Sequence, residues 1–278
     1  MKKFMKILAI VIVFSIISGI LWFANGFLGN PVSKILAKNA VKNYIAETYA
    51  DRDFIIEDVN YSFKDMGYYA HIKSPSSIDT YFSVSISMLG KIKYDSYENV
   101  LDGWNTYQRI EDEYRQMVNR VFSSAEFPLV SDIDYGTIEI MEKNTIVGFD
   151  EANYGIKMSD LELDKKYNVK ELAKTAGHIV FYAQDEEISF KKASEILLTL
   201  KEFLDKADVP FYAIDFVLEK PRNEDETPNE DRTTINTANF LYSDIYEEGL
   251  DERLEQEHNA LMNYYKEQDA KHGVYKEK

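Results

Sequence analysis

Residues 81–88, YFSVSISM, decide the fold class of this chain. Phe82, Val84, Ile86 and Met88 fall on one side of an extended backbone, and Tyr81, Ser83, Ser85 and Ser87 on the other, because successive strand side chains point to opposite faces. One dry face and one wet face belong to an antiparallel sheet covered on a single side. Just upstream, Val59, Tyr61 and Phe63 alternate within 54–64, and after a turn at Met66-Gly67 the stretch 68–73 carries Tyr68, Ala70 and Ile72. Helical patterns flank these three strands. Asn30-Pro31 reads as an N-cap and a first helical residue, and Leu36, Val41, Tyr44, Ile45 and Thr48 then recur at helical spacing across 31–50. Asp95 with Glu98 reads as a capping box that opens a long helix to about Ser123, with Val100, Leu101, Trp104, Tyr107, Tyr114, Met117, Val118 and Val121 on its apolar face. The spacing predicts a helix–three-strand–helix α+β domain over 29–125.

A second α+β domain with a C-terminal helix follows over 126–278. Phe127-Pro128 begins it, and Ile138 and Ile140, a turn at Lys143-Asn144, then Ile146 and Val147 suggest a hairpin. Asn168 and Glu171 open a short helix that Gly177 closes, and His178 to Ala183 is a strand. Ser189 caps a helix carrying Ala193, Ile196, Leu197, Leu200, Phe203, Leu204 and Ala207. Phe211 to Leu218 is apolar on both faces except for Asp215, the pattern of a central strand. The stretch 220–232 is a solvated loop, 233–241 a strand, and 244–270 an exposed helix with Leu250, Leu254, Leu261 and Tyr265 as its stripe. Strands among helices without regular βαβ alternation favour α+β, with antiparallel-rich sheets covered by helices.

Ahead of both domains, Lys2, Lys3 and Lys6 precede an uncharged apolar run from Ile7 to Ala24 that continues to Phe27 and Leu28. At 1.5 Å per helical residue this run matches a hydrocarbon core of about 30 Å. Residues 1–28 are therefore expected to be an N-terminal transmembrane helix, a signal anchor, with the lipid bilayer as its partner. The run is longer than the usual apolar region of a cleaved signal peptide, which favours retention. Ala24 and Gly26 leave open the alternative of cleavage near Gly26 and secretion. The lysines before the run hold the N-terminus inside and place the rest extracytoplasmic, although Lys34, Lys38 and Lys42 pull the other way.

The chain of 278 residues carries 48 Asp and Glu against 32 Lys and Arg, a net charge of -16. That field repels phosphate backbones, so no nucleic-acid partner is expected. With no cysteine, disulfides, thiolate zinc sites and thiol nucleophiles are excluded. None of His71, His178, His258 and His272 sits in an HExxH motif or at metal-ligand spacing, and structural roles are expected for His71 and His178. Ser189 to Lys192 matches SxxK, in which Lys activates a Ser nucleophile, but helix capping accounts for Ser189. The loop 223–231 is acidic enough for calcium, yet lacks the alternating ligands and central Gly of an EF-hand. Tyr81, beside Ser83 and Ser85, is a candidate for a binding surface on the wet strand face. No Walker, GxGxxG or GxSxG pattern occurs, so no nucleotide, catalytic residue, cofactor or metal is expected.

The Lys-flanked span, the Gly29-Asn30-Pro31 helix entry, Gly67-Tyr68-Tyr69 and Gly103-Trp104 together resemble the YfjL-like family of uncharacterised membrane-anchored proteins from Gram-positive bacteria. The resemblance covers mainly 1–125. It implies a location and two extracellular domains, and no activity or site residues. The helix–three-strand–helix unit is also broadly similar to small α+β modules of the PepSY type, a fold-level likeness. The leading expectation is a membrane-anchored, non-enzymatic binding or regulatory module at the cell envelope, with an envelope or membrane-protein partner. The alternatives are a carboxylate-dependent envelope hydrolase or inhibitor, and a cation or ligand sensor.

Overall fold

The computed structural model describes residues 2–141, 148–149, 151–223, 225 and 227–271. It is α+β, with two four-stranded sheets in two compact units, Met1–Thr106 with Glu162–Asp164, and Tyr107–Leu161 with Lys165–Lys278.

The first unit opens with α1 (Lys2–Leu28) and α2 (Pro31–Thr48). Asn30 caps α2 as its residue type dictates, its side chain accepting the Ser33 amide proton at 2.8 Å ahead of Pro31. Strands β1 (Ile55–Ser62), β2 (Gly67–Lys73), β3 (Tyr81–Ser87) and β4 (Ile92–Asp95) form an antiparallel meander. Ala37, Val41 and Ile45 of α2 bury against Val59, Tyr68, Ala70, Ile72, Phe82, Val84 and Ile86, the dry face foreseen from the alternation. Among the described residues no helix is long and apolar enough to cross a membrane.

Three expectations for this unit are corrected. The sheet has four strands: β4 is short and pairs its residues at the edge, against β3. Asp95 ends β4 and takes hydrogen bonds from Tyr44 (2.5 Å), Tyr49 (2.8 Å) and the Tyr97 amide (3.1 Å), so it is an anchor for tyrosines instead of the start of a helix. The long helix is two pieces, α3 (Glu98–Leu101) and α4 (Trp104–Phe122), divided at Gly103, whose φ of +84° is left-handed. Asp79, fully buried, accepts from Thr106 Oγ1 (2.9 Å) and the Asp164 amide (3.0 Å), which ties Glu162–Asp164 to this unit.

The units divide between Thr106 and Tyr107, inside α4, whereas the sequence reading divided them at 125. From Tyr107 onward the apolar face of α4 belongs to the second core: Ile110, Tyr114, Val118 and Val121 cluster with the second sheet. That sheet runs β5 (Ser131–Ile138), β6 (Gly177–Gln184), β7 (Ala213–Glu219), β8 (Ile235–Leu241), with β6 and β7 parallel and both outer pairs antiparallel. The internal position of β7 agrees with its apolar sequence. The turn expected at Lys143-Asn144, with Ile146 and Val147, lies outside the described residues. β5 pairs with β6, and Ile140 forms an isolated bridge with Ile156. Helices α5 (Val169–Ala176) and α6 (Phe190–Lys206) are capped by Asn168 and Ser189 as expected, and α7 spans Leu250–Lys271.

The core takes Ile179, Phe181 and Ala183 of β6 and Ile214, Phe216 and Leu218 of β7 with side chains of α4, α5, α6 and α7, so helices cover one face. By alternation His178, Val180, Asp215 and Val217 occupy the other face, with Tyr135 and Thr137 of β5.

Candidate functional site

Most candidates singled out in the sequence resolve into structural roles. His71 is exposed on the wet face of the first sheet, with Ser83 Oγ 3.2 Å from its Nδ1 and Asp58 3.8 Å from its Nε2. His258 accepts the Asn236 amide proton at 3.0 Å, and His272 lies outside the described residues. Ser189 Oγ accepts from the Lys192 amide and donates to Glu187 at 2.7 Å, while Lys192 Nζ faces Glu195 (3.4 Å) and Asp185 (3.9 Å). The Ser–Lys pair is thus a cap beside a surface ion pair. Tyr81 is exposed, and on the same face the Tyr69 and Tyr94 hydroxyls lie 3.1 Å apart. Among the described residues no group of three His, Cys, Asp or Glu side chains is placed to hold a metal ion.

His178 is different. It lies on the helix-free face of the second sheet, yet only 4% of its surface is exposed. Its Nδ1 is 2.5 Å from the Tyr154 hydroxyl, its Nε2 3.4 Å from Asp215 Oδ1, and Glu139 Oε1 is 4.0 Å from Nδ1. Tyr154 reaches over the strand end from the segment after β5, with its ring packed at 4.6 Å on Tyr212. Its hydroxyl also donates to Asn239 Oδ1 at 3.0 Å.

A bulge in β8 places Asn239. The β7–β8 register shifts between Ile214 and Phe216, Asn239 takes a left-handed φ of +52°, and its amide donates to Asp215 Oδ1 at 2.7 Å. Such a bulge inserts an extra residue and re-aims a side chain, and Asn is the residue after Gly that tolerates this backbone. Among the described residues, the buried side-chain polar atoms without a hydrogen-bond partner are Asn236 Oδ1, Thr237 Oγ1 and Asn239 Nδ2, all on β8. Buried polar atoms are ordinarily paired, so their concentration on one strand marks it out.

These groups border an open cleft of about 490 Å³ lined by Tyr135, Thr137, Glu139, Glu151, His178, Asp215 and Asn239, among others. Among the described residues its lining includes three carboxylates and no Lys or Arg. Burial raises the Glu139 carboxyl above its ordinary pKa, a shift opposed by His178 and reinforced by Asp215 and Glu111. Burial likewise pushes the Tyr154 hydroxyl up, with Glu139 and Asp215 adding to it. The cleft therefore offers anionic acceptors, one anchored imidazole and one unsatisfied amide donor.

A second cavity, about 360 Å³, lies among α4, α5 and α6, with Met117, Val121 and Phe203 beneath Arg120, Lys170 and Lys206. Asp208 in the same wall pairs with Lys170, which offsets part of its charge.

Sequence reasoning reached His178 and noticed Asp215 as the one acid in an apolar strand; it missed Glu139, Tyr154 and Asn239. Asp215 was the available signal, because an acid on an internal strand requires partners.

No curated protein and no solved structure matches the chain. Two family models do: YfjL-like, N-terminal domain, over residues 2–96, and YfjL-like C-terminal domain, over 113–255. The second match takes in the C-terminal half of α4, the whole second sheet and the cleft, so the likeness first noted in the N-terminal region extends through both units, and the chain belongs to the YfjL-like family.

Proposed function

We propose that this YfjL-like chain is a membrane-anchored, extracytoplasmic binding module, and that the acidic cleft of its second sheet recognises a protonated amine. The observation that carries the binding site is the lining itself: among the described residues Glu139, Glu151 and Asp215 converge there with no lysine or arginine. Opposite charge in a partly dehydrated cleft is attractive, and an ammonium or guanidinium group supplies the donors that carboxylates accept. Its volume lies within the ordinary range of small-molecule sites, ~300–1,000 Å³.

The anchor reading rests on the complete run Ile7–Ala24, which has no charged residue and follows Lys2, Lys3 and Lys6. Consistent with it, Ile10, Val11, Ile12, Val13, Phe14, Ile16 and Ile17 of α1 are all exposed, interrupted by Ser15 alone, which makes no polar stripe for water. Carbonate washing of membranes expressing the full chain tests this part: release into the supernatant refutes it.

For the cleft, titration calorimetry of the full chain in detergent with spermidine and glucosamine, against N-acetylglucosamine and acetate, is the direct test. Amine binding that weakens at least tenfold in Asp215→Asn and Glu139→Gln supports the reading. Equal binding of the neutral sugar, or binding untouched by both substitutions, refutes it.

One observation favours a carboxylate-dependent hydrolase as a second reading. Glu139 is held toward its protonated form beside Asp215, the division of roles that acid–base chemistry uses. Turnover of envelope polymers lost in Glu139→Gln would select it.

A further inference from the structure

The end of the first unit from which α1 departs differs in chemistry from the opposite end. The C-terminus of α1 is fixed to the sheet there: the Tyr61 hydroxyl donates to the Gly26 carbonyl at 2.7 Å, and the Phe27 and Phe63 rings stack at 5.9 Å. The start of α2 is fixed at the same place, with Ser33 Oγ 2.7 Å from the Tyr68 hydroxyl. Since Gly67 pairs with both Ser62 and Ser87, the β1–β2 and β3–β4 turns lie together at this end.

Both turns present large apolar side chains to solvent: Phe63 is 56% exposed, Met66 59% and Leu89 86%. Val32, Ile35 and Leu36 on the outer side of α2 are exposed too, and Gly90 approaches the Leu36 carbonyl so closely that an added Cβ would sit 3.1 Å from it. Lone surface apolar residues need no explanation, but a group contributed by three separate segments does. The accompanying charge is net positive, four lysines against Asp65, which accepts from the Ser62 hydroxyl at 2.7 Å. Lys34, Lys64, Lys91 and Lys93 are exposed in these same segments, in a protein whose net charge is -16. At the opposite end Ile55 and Ile78 are exposed as well, but the charge is not basic: Asp51 and Asp53 flank Arg52 ahead of β1, and Asp53 accepts from Ser74 and Ser76.

We infer that this end of the first sheet is a docking surface for anionic lipid headgroups. Its two turns and the outer side of α2 rest on the bilayer surface, apolar tips inserted and lysines among the phosphates. The inference rests on the anchor reading above, because α1 leaves the sheet at this surface and delivers it to the membrane. Apolar tips ringed by lysines match an interface whose outer layer is negative and whose interior is hydrocarbon. Each lysine near anionic headgroups is worth about a fivefold change in surface affinity.

The test uses the full chain in vesicles of phosphatidylcholine alone or with phosphatidylglycerol, and lipids brominated at shallow depth as quenchers. In a Trp22→Phe, Trp104→Phe background, single tryptophans report from Phe63→Trp, Leu89→Trp and, at the far end of β3, Tyr81→Trp. The expected result is strong quenching at 63 and 89 with anionic lipid, less with neutral lipid, and none at 81. Combining Lys34→Glu, Lys64→Glu and Lys91→Glu, all at exposed positions, should abolish the anionic preference. Quenching of native Trp22, in Trp104→Phe, reports the anchor separately. If Trp22 is quenched while 63 and 89 are not, or if 63 and 89 quench equally in both lipids, the docking inference is overturned and the anchor stands. If Trp22 also escapes quenching, the anchor reading fails and the docking with it.

Discussion

Replacing Tyr154 with Phe removes one oxygen and leaves the ring that packs on Tyr212 at 4.6 Å. That oxygen is held between His178 Nδ1 at 2.5 Å and Asn239 Oδ1 at 3.0 Å, and Tyr154 itself is 7% exposed. With the hydroxyl gone, Asn239 loses the partner of its Oδ1 while its Nδ2 already has none, and His178 Nδ1 loses its hydrogen bond, with Glu139 at 4.0 Å the remaining group on that side. Orphaning a buried polar group costs about 1–3 kcal/mol, so two such groups imply ~2–4 kcal/mol once water from the adjoining cleft relieves part of the loss. The packing term is nearly unchanged, which makes this a hydrogen-bond measurement. Urea denaturation followed through the β6 amides reads the second unit by itself. The midpoint should fall with the slope preserved, as in a change of stability without a change in surface exposed. Combining Tyr154→Phe with Asn239→Ala should give a loss smaller than the sum of the two, because both act on one network. A Tyr154→Phe protein within about 0.5 kcal/mol of the parent, the range of ordinary surface substitutions, would refute the claim that this hydroxyl holds the site together.

Glu139→Gln should raise the melting temperature at pH 7 and leave it unchanged at pH 4. Burial raises the folded carboxyl's pKa, so the stability tied to its proton is complete below the ordinary value and is lost as pH rises through the raised one. Each unit of such a shift is worth about 1.4 kcal/mol; a variant that tracks the parent at both pH values would refute this. Gly136→Ala should destabilise the second unit by ~1–3 kcal/mol through overpacking, since the added Cβ would sit 2.5 Å from Val118 Cγ2 and 3.0 Å from the Tyr114 ring. An unchanged or higher melting temperature would show that α4 does not pack on β5 there. Ser189→Ala should cost about 1 kcal/mol of stability as a lost N-cap and leave amine binding in the cleft untouched; altered binding would revive the Ser–Lys reading.

Local rules carried the reading where a few consecutive residues hold the whole cause. The caps at Asn30, Asn168 and Ser189 formed as their residue types require, and the alternation of Phe82, Val84 and Ile86 delivered the buried side of the first sheet. The misses share a different cause. In β4, Lys93 and Tyr94 are exposed, so an edge strand of four residues shows no dry face to detect. The face from Tyr107 to Val121 announced a buried helix, but nothing in periodicity says which sheet will bury it. The answer lay in the close approach that Gly136 permits, a long-range fact.

The site shows the same division. Asp215 was visible because an acid on an internal strand is costly unless something receives it. What receives it is spread along the chain: His178 lies on the neighbouring parallel strand, and the Asn239 amide comes from a bulge that only the β7–β8 register creates. A left-handed backbone at a residue other than Gly, a carboxyl raised by burial and a partnerless amide are each unfavourable alone. All three meet around one cleft of the second unit, whose helix-packed side has a regular apolar core. Scattered imperfections of packing would have no reason to gather in one cleft lined by all four strands of a sheet. A polar, acidic surface accepts from a ligand with donors of its own, the unpaired Asn239 Nδ2 calls for an acceptor on the same ligand, and that convergence is the physical reason for proposing recognition at this face.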